Sequence, residues 1–95
     1  MTTYLFKLYV TGQTPRTARA IDNLYKICED ALPGEYQLVI IDVLERPQVA
    51  EDEKILATPT LIKVRPTPIR RVIGDLSDTE KVLMGLDLVP KSNQS

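Results

Sequence analysis

Apolar residues fall in blocks whose periods alternate along the chain. Tyr4 to Val10 is dense in aromatic and branched side chains and stops at Thr11-Gly12, which predicts a buried strand. Thr14 then stands where an N-cap belongs, with Pro15 at the first helical position, where a missing N–H costs nothing. Ile21, Leu24, Tyr25, Cys28, Ala31 and Leu32 recur at helical spacing, and Pro33-Gly34 closes the helix. Tyr36 to Leu44 is the strongest strand signal, an almost continuous apolar run expected of a central parallel strand covered on both faces. Strand, helix and strand within about 40 residues predict a βαβ unit.

The second half is shorter in every element. Pro47 opens an acidic stretch through Lys54 that suits a helix with negative charge near its start. Ala57 to Val64 reads as a strand entered through Thr58-Pro59, Arg65-Pro-Thr-Pro68 as a turn, and Ile69 to Ile73 as the partner of an antiparallel hairpin. Ser77 followed by Glu80 predicts a capping box at the start of a last helix, whose apolar face is Val82, Leu83 and Leu86. Gly85 lies inside that helix at a cost of about 1 kcal/mol relative to alanine. The tail Lys91 to Ser95 is polar and expected to fray. The order is βαβαββα in a single α/β domain, and it resembles the thioredoxin-like fold, in which the X-Pro bond before the third strand is usually cis.

Composition removes several chemistries from this scaffold. Histidine is absent, which excludes His-based acid–base catalysis, nucleophilic triads that need it and the commonest metal ligand. Cys28 is the only cysteine, so no intramolecular disulfide can form; its stripe position reads as a small buried hydrophobe. A Cys-x-x-Cys pair would occupy the place held here by Thr11-Gly12-Gln13-Thr14, so thiol–disulfide exchange is excluded. A net charge of −1 favours neither nucleic acid nor a membrane surface. No apolar run reaches the roughly 18 residues of a membrane span, and a cytoplasmic address is expected. No catalytic, cofactor or metal site is assigned. The carboxylates Glu51-Asp52-Glu53, Asp75 and Asp78 read as solvated helix starts. A glutathione-binding role, with Tyr9, Thr11 or Thr14 polarising a thiol, is the enzymatic alternative.

Long runs carry a more specific resemblance. Lys7-Leu-Tyr-Val10, Gly12-Gln-Thr-Pro15, Ile41-Asp-Val-Leu44, Lys54-Ile-Leu-Ala-Thr-Pro-Thr-Leu61, Arg70-Arg71, Ile73-Gly-Asp-Leu-Ser77 and Glu80 to Leu88 occur in family order across almost the whole chain. On these the chain is identified as a member of the KaiB family of circadian-clock proteins. The resemblance implies a non-enzymatic protein that binds the N-terminal ATPase ring of KaiC. It also implies sequestration of KaiA where KaiA exists, and competition with the thioredoxin-like sensor domain of an output histidine kinase. It further implies two folds: a βαββααβ ground state in a dimer or tetramer, expected in a crystal, and a thioredoxin-like monomer that binds partners. Residues 1–46 would keep their fold and 47–90 would be rebuilt.

The same resemblance places Gln48 and Lys54 on the KaiC-facing surface and makes Arg19, Lys63, Arg70 and Arg71 candidate partner contacts. Gly85 and Asp87 match the family's switch-controlling residues. Three X-Pro bonds, at Pro59, Pro66 and Pro68, add isomerisation on the order of tens to hundreds of seconds each. Replacing Gly85 by alanine is expected to strengthen the last helix and favour the KaiC-binding monomer. Two departures bear on KaiA: Val39 stands where clock members commonly place a lysine, and a long acidic tail is missing. A KaiB-like adaptor in a non-clock signalling or stress pathway would use the same surfaces.

Overall fold

The computed structural model describes residues 3–88. Seven elements follow in the order β1 (Tyr4–Val10), α1 (Pro15–Ala31), β2 (Tyr36–Asp42), α2 (Pro47–Asp52), β3 (Thr60–Arg65), β4 (Arg70–Ile73) and α3 (Thr79–Gly85). This is the βαβαββα arrangement and not the rearranged βαββααβ one. The Lys91–Ser95 tail and Val89 lie outside the described residues.

β1 is the centre of the sheet, whose order is β2-β1-β3-β4. It runs parallel to β2, with Leu8 opposite Ile40, and antiparallel to β3, with Leu8 opposite Leu61. Alternation along β1 therefore sends Phe6, Leu8 and Val10 to one face, where they join Ala20, Leu24, Ile27 and Cys28 of α1, Leu61, Val72, Val82 and Leu86 in one core. Leu5, Lys7 and Tyr9 point to the other face. The N-cap expected at Thr14 is present: its hydroxyl accepts from the Thr17 N–H at 3.1 Å. The Thr58-Pro59, Arg65-Pro66 and Thr67-Pro68 bonds are all cis.

Three sequence expectations change. β2 is an edge strand, and Val39 and Ile40 are each 41% exposed; its apolar run reflects no second covering layer. Tyr25 lies off the buried stripe of α1, at 47% exposed, while Ile27 is buried in its stead. The capping box at Ser77 does not form. The Asp78 carboxylate caps α3 by accepting from the Lys81 N–H at 3.1 Å, and the Ser77 N–H instead donates to Asp75 Oδ1 at 3.0 Å. Aspartate, one residue later, is an equally good cap and adds a negative charge at the helix's positive end.

Backbone strain is concentrated in the second half. Among the described residues, the non-glycine positions with left-handed φ are Lys54 (55°), Leu76 (65°) and Asp87 (59°), whereas the first half uses Gly12 (67°) and Gly34 (72°) for such turns. Lys54 and Asp87 each close a Schellman turn. Ile55 N–H donates to Ala50 O at 2.8 Å and Lys54 N–H to Glu51 O at 3.1 Å; Leu88 N–H donates to Leu83 O at 2.8 Å and Asp87 N–H to Met84 O at 3.1 Å. Glycine is the residue this position favours, so each substitution by a larger residue costs on the order of 1 kcal/mol.

Gly85 proves to be the last residue of α3 and sits against β4. A Cβ there would stand 2.8 Å from Val72 Cγ2, and valine is stiff about χ1. The helix-propensity gain expected of Gly85→Ala is therefore opposed by a steric cost in this fold. Gly85→Ala should be less favourable in the parent than in a Val72→Ala background by about 1 kcal/mol. A double-mutant cycle by chemical denaturation reads this coupling; additive effects would remove the contact from the account.

Candidate protein-binding site

The C-terminal end of β1 leads into the loop where a thioredoxin-like scaffold carries its chemistry. Here Thr11 places its hydroxyl against the hydroxyl of Thr58, the residue before the cis proline. Gly12 takes the left-handed turn that lets its N–H reach Asp42 Oδ1 at 3.1 Å, and the same oxygen accepts from the Leu44 N–H at 2.9 Å. Thr17 Oγ1 donates back to the Gly12 carbonyl at 3.0 Å. Every polar group of this loop named so far is spent on holding it in shape.

The residues that could have polarised a thiol are committed or hidden. Thr14 caps α1, Thr11 pairs with Thr58, and Tyr9 is wholly buried with a hydroxyl that has no hydrogen-bond partner among the described residues. Desolvation, then the Glu53 charge, raise the Tyr9 pKa; the Arg71 charge opposes them. Among the described residues no three His, Cys, Asp or Glu side chains converge to hold a metal ion.

Cys28 lies in the core at 1% exposure. Burial, assisted by the Glu29 charge, pushes its thiol up from an ordinary 9.0 to about 12. The lone thiol is a packing residue in this fold.

The candidate contact residues do not form one cluster; the sheet divides them. Gln48 and Lys54 belong to α2 and its exit, on the Tyr9 face, where Gln48 Nε2 donates to Asp52 Oδ1 at 2.9 Å. Arg71 reaches the same place, donating from Nη2 to the Glu53 carbonyl at 2.6 Å and from Nη1 to the Lys54 carbonyl at 3.3 Å. On the core side, Lys63 and Arg70 stand opposite each other in the β3–β4 register, a like-charge juxtaposition. Lys63 is only 2% exposed, because it alternates with Leu61 onto the face that carries Phe6. In this arrangement it is not a surface contact. Arg19 lies on α1 near the β4–α3 loop. Its charge and that of Arg16 help hold the Asp75 carboxyl below its ordinary pKa, behind the larger effect of the Ser77 hydrogen bonds. Asn23 fixes the same loop through a 2.9 Å bond to the Asp75 carbonyl.

Exposed apolar residues lie elsewhere, and the sequence reading missed them. Leu56 (94% exposed) and Leu44 (67%) project from the loops at the Thr11–Thr58 end. The β2 edge is flanked by two grooves: one of about 520 Å³, bounded by Ile21, Ile40 and the start of α1, and one of about 500 Å³ beside Lys7, Val39 and Ile41. A strand with its outer edge open between two grooves is suited to strand addition, in which alternate side chains of a partner enter either side.

A thioredoxin-like domain with two threonines at this place does not carry the Cys-x-x-Cys chemistry of its scaffold. Solved structures agree on the fold. The N-terminal domain of Synechococcus elongatus SasA superposes with a TM-score of 0.75 at 23% identity, covering 92% of this chain and 86% of that one. Mitochondrial thioredoxin 3 of Saccharomyces cerevisiae gives 0.69 at 17% identity, over 92% and 79%. The KaiB domain model matches residues 7–88, and the chain belongs to the KaiB family. It is 54% identical to the circadian clock protein KaiB3 of Synechocystis, over 99% of this chain and 92% of that protein. It is 60% identical to the circadian clock oscillator protein KaiB of Prochlorococcus marinus, over 92% and 83%. These relatives are named as clock proteins and not as enzymes, which makes this chain a circadian clock component.

The buried hydroxyl and the buried thiol each have a measurable consequence. Leaving a buried hydroxyl unpaired costs about 1–3 kcal/mol, so Tyr9→Phe should raise unfolding stability by about 1 kcal/mol; a comparable loss would mean the hydroxyl is paired in solution. A thiol whose folded pKa is raised favours the folded state fully below its unfolded value. That contribution is lost as pH rises from 9 towards 12. Cys28→Ala should therefore flatten the alkaline decline in stability across this window. Native Cys28 should resist alkylation at pH 8 until denaturant is added; rapid labelling of the native protein would contradict its burial.

Proposed function

We propose that this chain binds the N-terminal ATPase ring of KaiC in the thioredoxin-like form and thereby regulates the rhythm of KaiC phosphorylation. Where KaiA is present, the same complex sequesters it. The observation that carries the proposal is the conjunction of KaiB-family sequence with a folded thioredoxin-like domain that has threonines where a thiol pair would stand. Exposed apolar groups at the Thr11–Thr58 end (Leu44 and Leu56) and along β2 (Val39 and Ile40) are available to a partner. The likeness to the SasA N-terminal domain supports competition, since two chains presenting the same backbone can address one partner surface.

The βαββααβ oligomer is the storage form in this reading. Association stabilises it by mass action, while partner binding draws the chain towards the monomer. The left-handed strain at Lys54, Leu76 and Asp87 keeps the two states close in energy. Val39 presents an apolar side chain on the β2 edge instead of a lysine, so KaiA capture here would rest on apolar contact and strand pairing.

Incubation with KaiC in ATP, followed by pull-down with KaiA added or omitted, tests the reading. Retention on KaiC with ATP is expected, together with displacement by an excess of the competing kinase domain. Failure to bind KaiC under any nucleotide condition would sink the clock reading and favour an adaptor role on another ATPase or kinase.

A further inference from the structure

α2 has six residues and buries none of them, so packing does not explain what fixes its C-terminal end. The chain leaves α2 through Lys54, at a left-handed φ of 55°, and proceeds by Leu56 to the Thr58-Pro59 bond. Thr60 and Thr11 bond to the far end of this exit, at Ala57 and Thr58; among the described residues, Arg71 is the side chain from another element that bonds to its start. Its Nη2 donates to the Glu53 carbonyl at 2.6 Å and its Nη1 to the Lys54 carbonyl at 3.3 Å. A planar guanidinium matches two adjacent carbonyls as a single ammonium does not, and its charge complements the negative end of a helix. Arg71 itself is held in register opposite Ile62, so the clamp ties the segment before β3 to the strand after it.

We propose that Arg71 is a positioning residue that latches residues 53–58, and with them Leu56 and Thr58, onto β4, and that Lys54 loads the latch. The left-handed lysine favours release of the turn; the guanidinium fork opposes it. Two of the five guanidinium donors are spent on the two backbone carbonyls, and the side chain is otherwise exposed. The latch is a property of this fold whether or not the partner is KaiC.

Native-state amide exchange on the full chain, read residue by residue by NMR, tests the latch. Arg71→Ala should speed exchange at Lys54 and Ile55, whose N–H groups bond to Glu51 and Ala50, by about tenfold or more, while amides of β1 and β2 keep their protection. Arg71→Lys keeps the charge without the fork and should restore only part of the protection. Adding Lys54→Gly to Arg71→Ala should slow exchange at Ile55 again, because glycine takes the left-handed turn freely. Unchanged exchange in Arg71→Ala would overturn the proposal. So would full restoration by Arg71→Lys, or equal acceleration in β1, which would make Arg71 a general stability residue.

Discussion

The pairing of β1 on both sides is the constraint on which the rest of the structure depends. One edge of β1 takes β2 in parallel through a right-sized helical crossover; the other takes β3 antiparallel. Once both are formed, alternation along Tyr4–Val10 decides which face carries the core and which carries Lys7 and Tyr9. The β1–β3 pairing also brings Thr58 to Thr11 across 47 positions of sequence. The Thr11–Thr58 end of the molecule exists only as long as that pairing does.

The two edges of β1 differ in what they cost. The β2 side is built from capped, glycine-turned elements: Thr14 at the start of α1, Gly34 after its end, Gly12 before it. The β3 side is assembled from short elements joined by left-handed lysine, leucine and aspartate, with Lys63 facing Arg70 across the hairpin. Each of these costs stability, and each lies in the second half. The proposed exchange between two packings requires such an imbalance, since the packings must lie within a few kcal/mol of each other.

Much of this was legible in the sequence, for physical reasons that can be named. Element order, the Thr14 cap and the absence of a thiol site follow from residue identity and spacing alone. The exposure of β2 was not legible, because an apolar run reports β-propensity and not how many layers cover it. The shift of the α3 cap from Ser77 to Asp78 was a choice between two adjacent good caps, settled by the loop that Asn23 and Asp75 anchor to α1. Among the candidate contacts, burial of Lys63 follows from strand parity: it pairs with Phe6 and shares the face of Leu61, and a lysine in a short strand does not say which face it takes. The carbonyl clamp of Arg71 depends on the fold of the α2 exit, and an arginine in a strand gives no hint of it.

Cross-strand NOEs between β1 and β3, measured on the free chain and on the chain saturated with its partner, test the central claim most directly. The account predicts Hα and amide contacts pairing Lys7 with Ile62 and Leu8 with Leu61 in the bound state, alongside the β1–β2 contacts of Leu8 with Ile40. A bound state that kept the β1–β2 contacts and lacked those between β1 and β3 would contradict it.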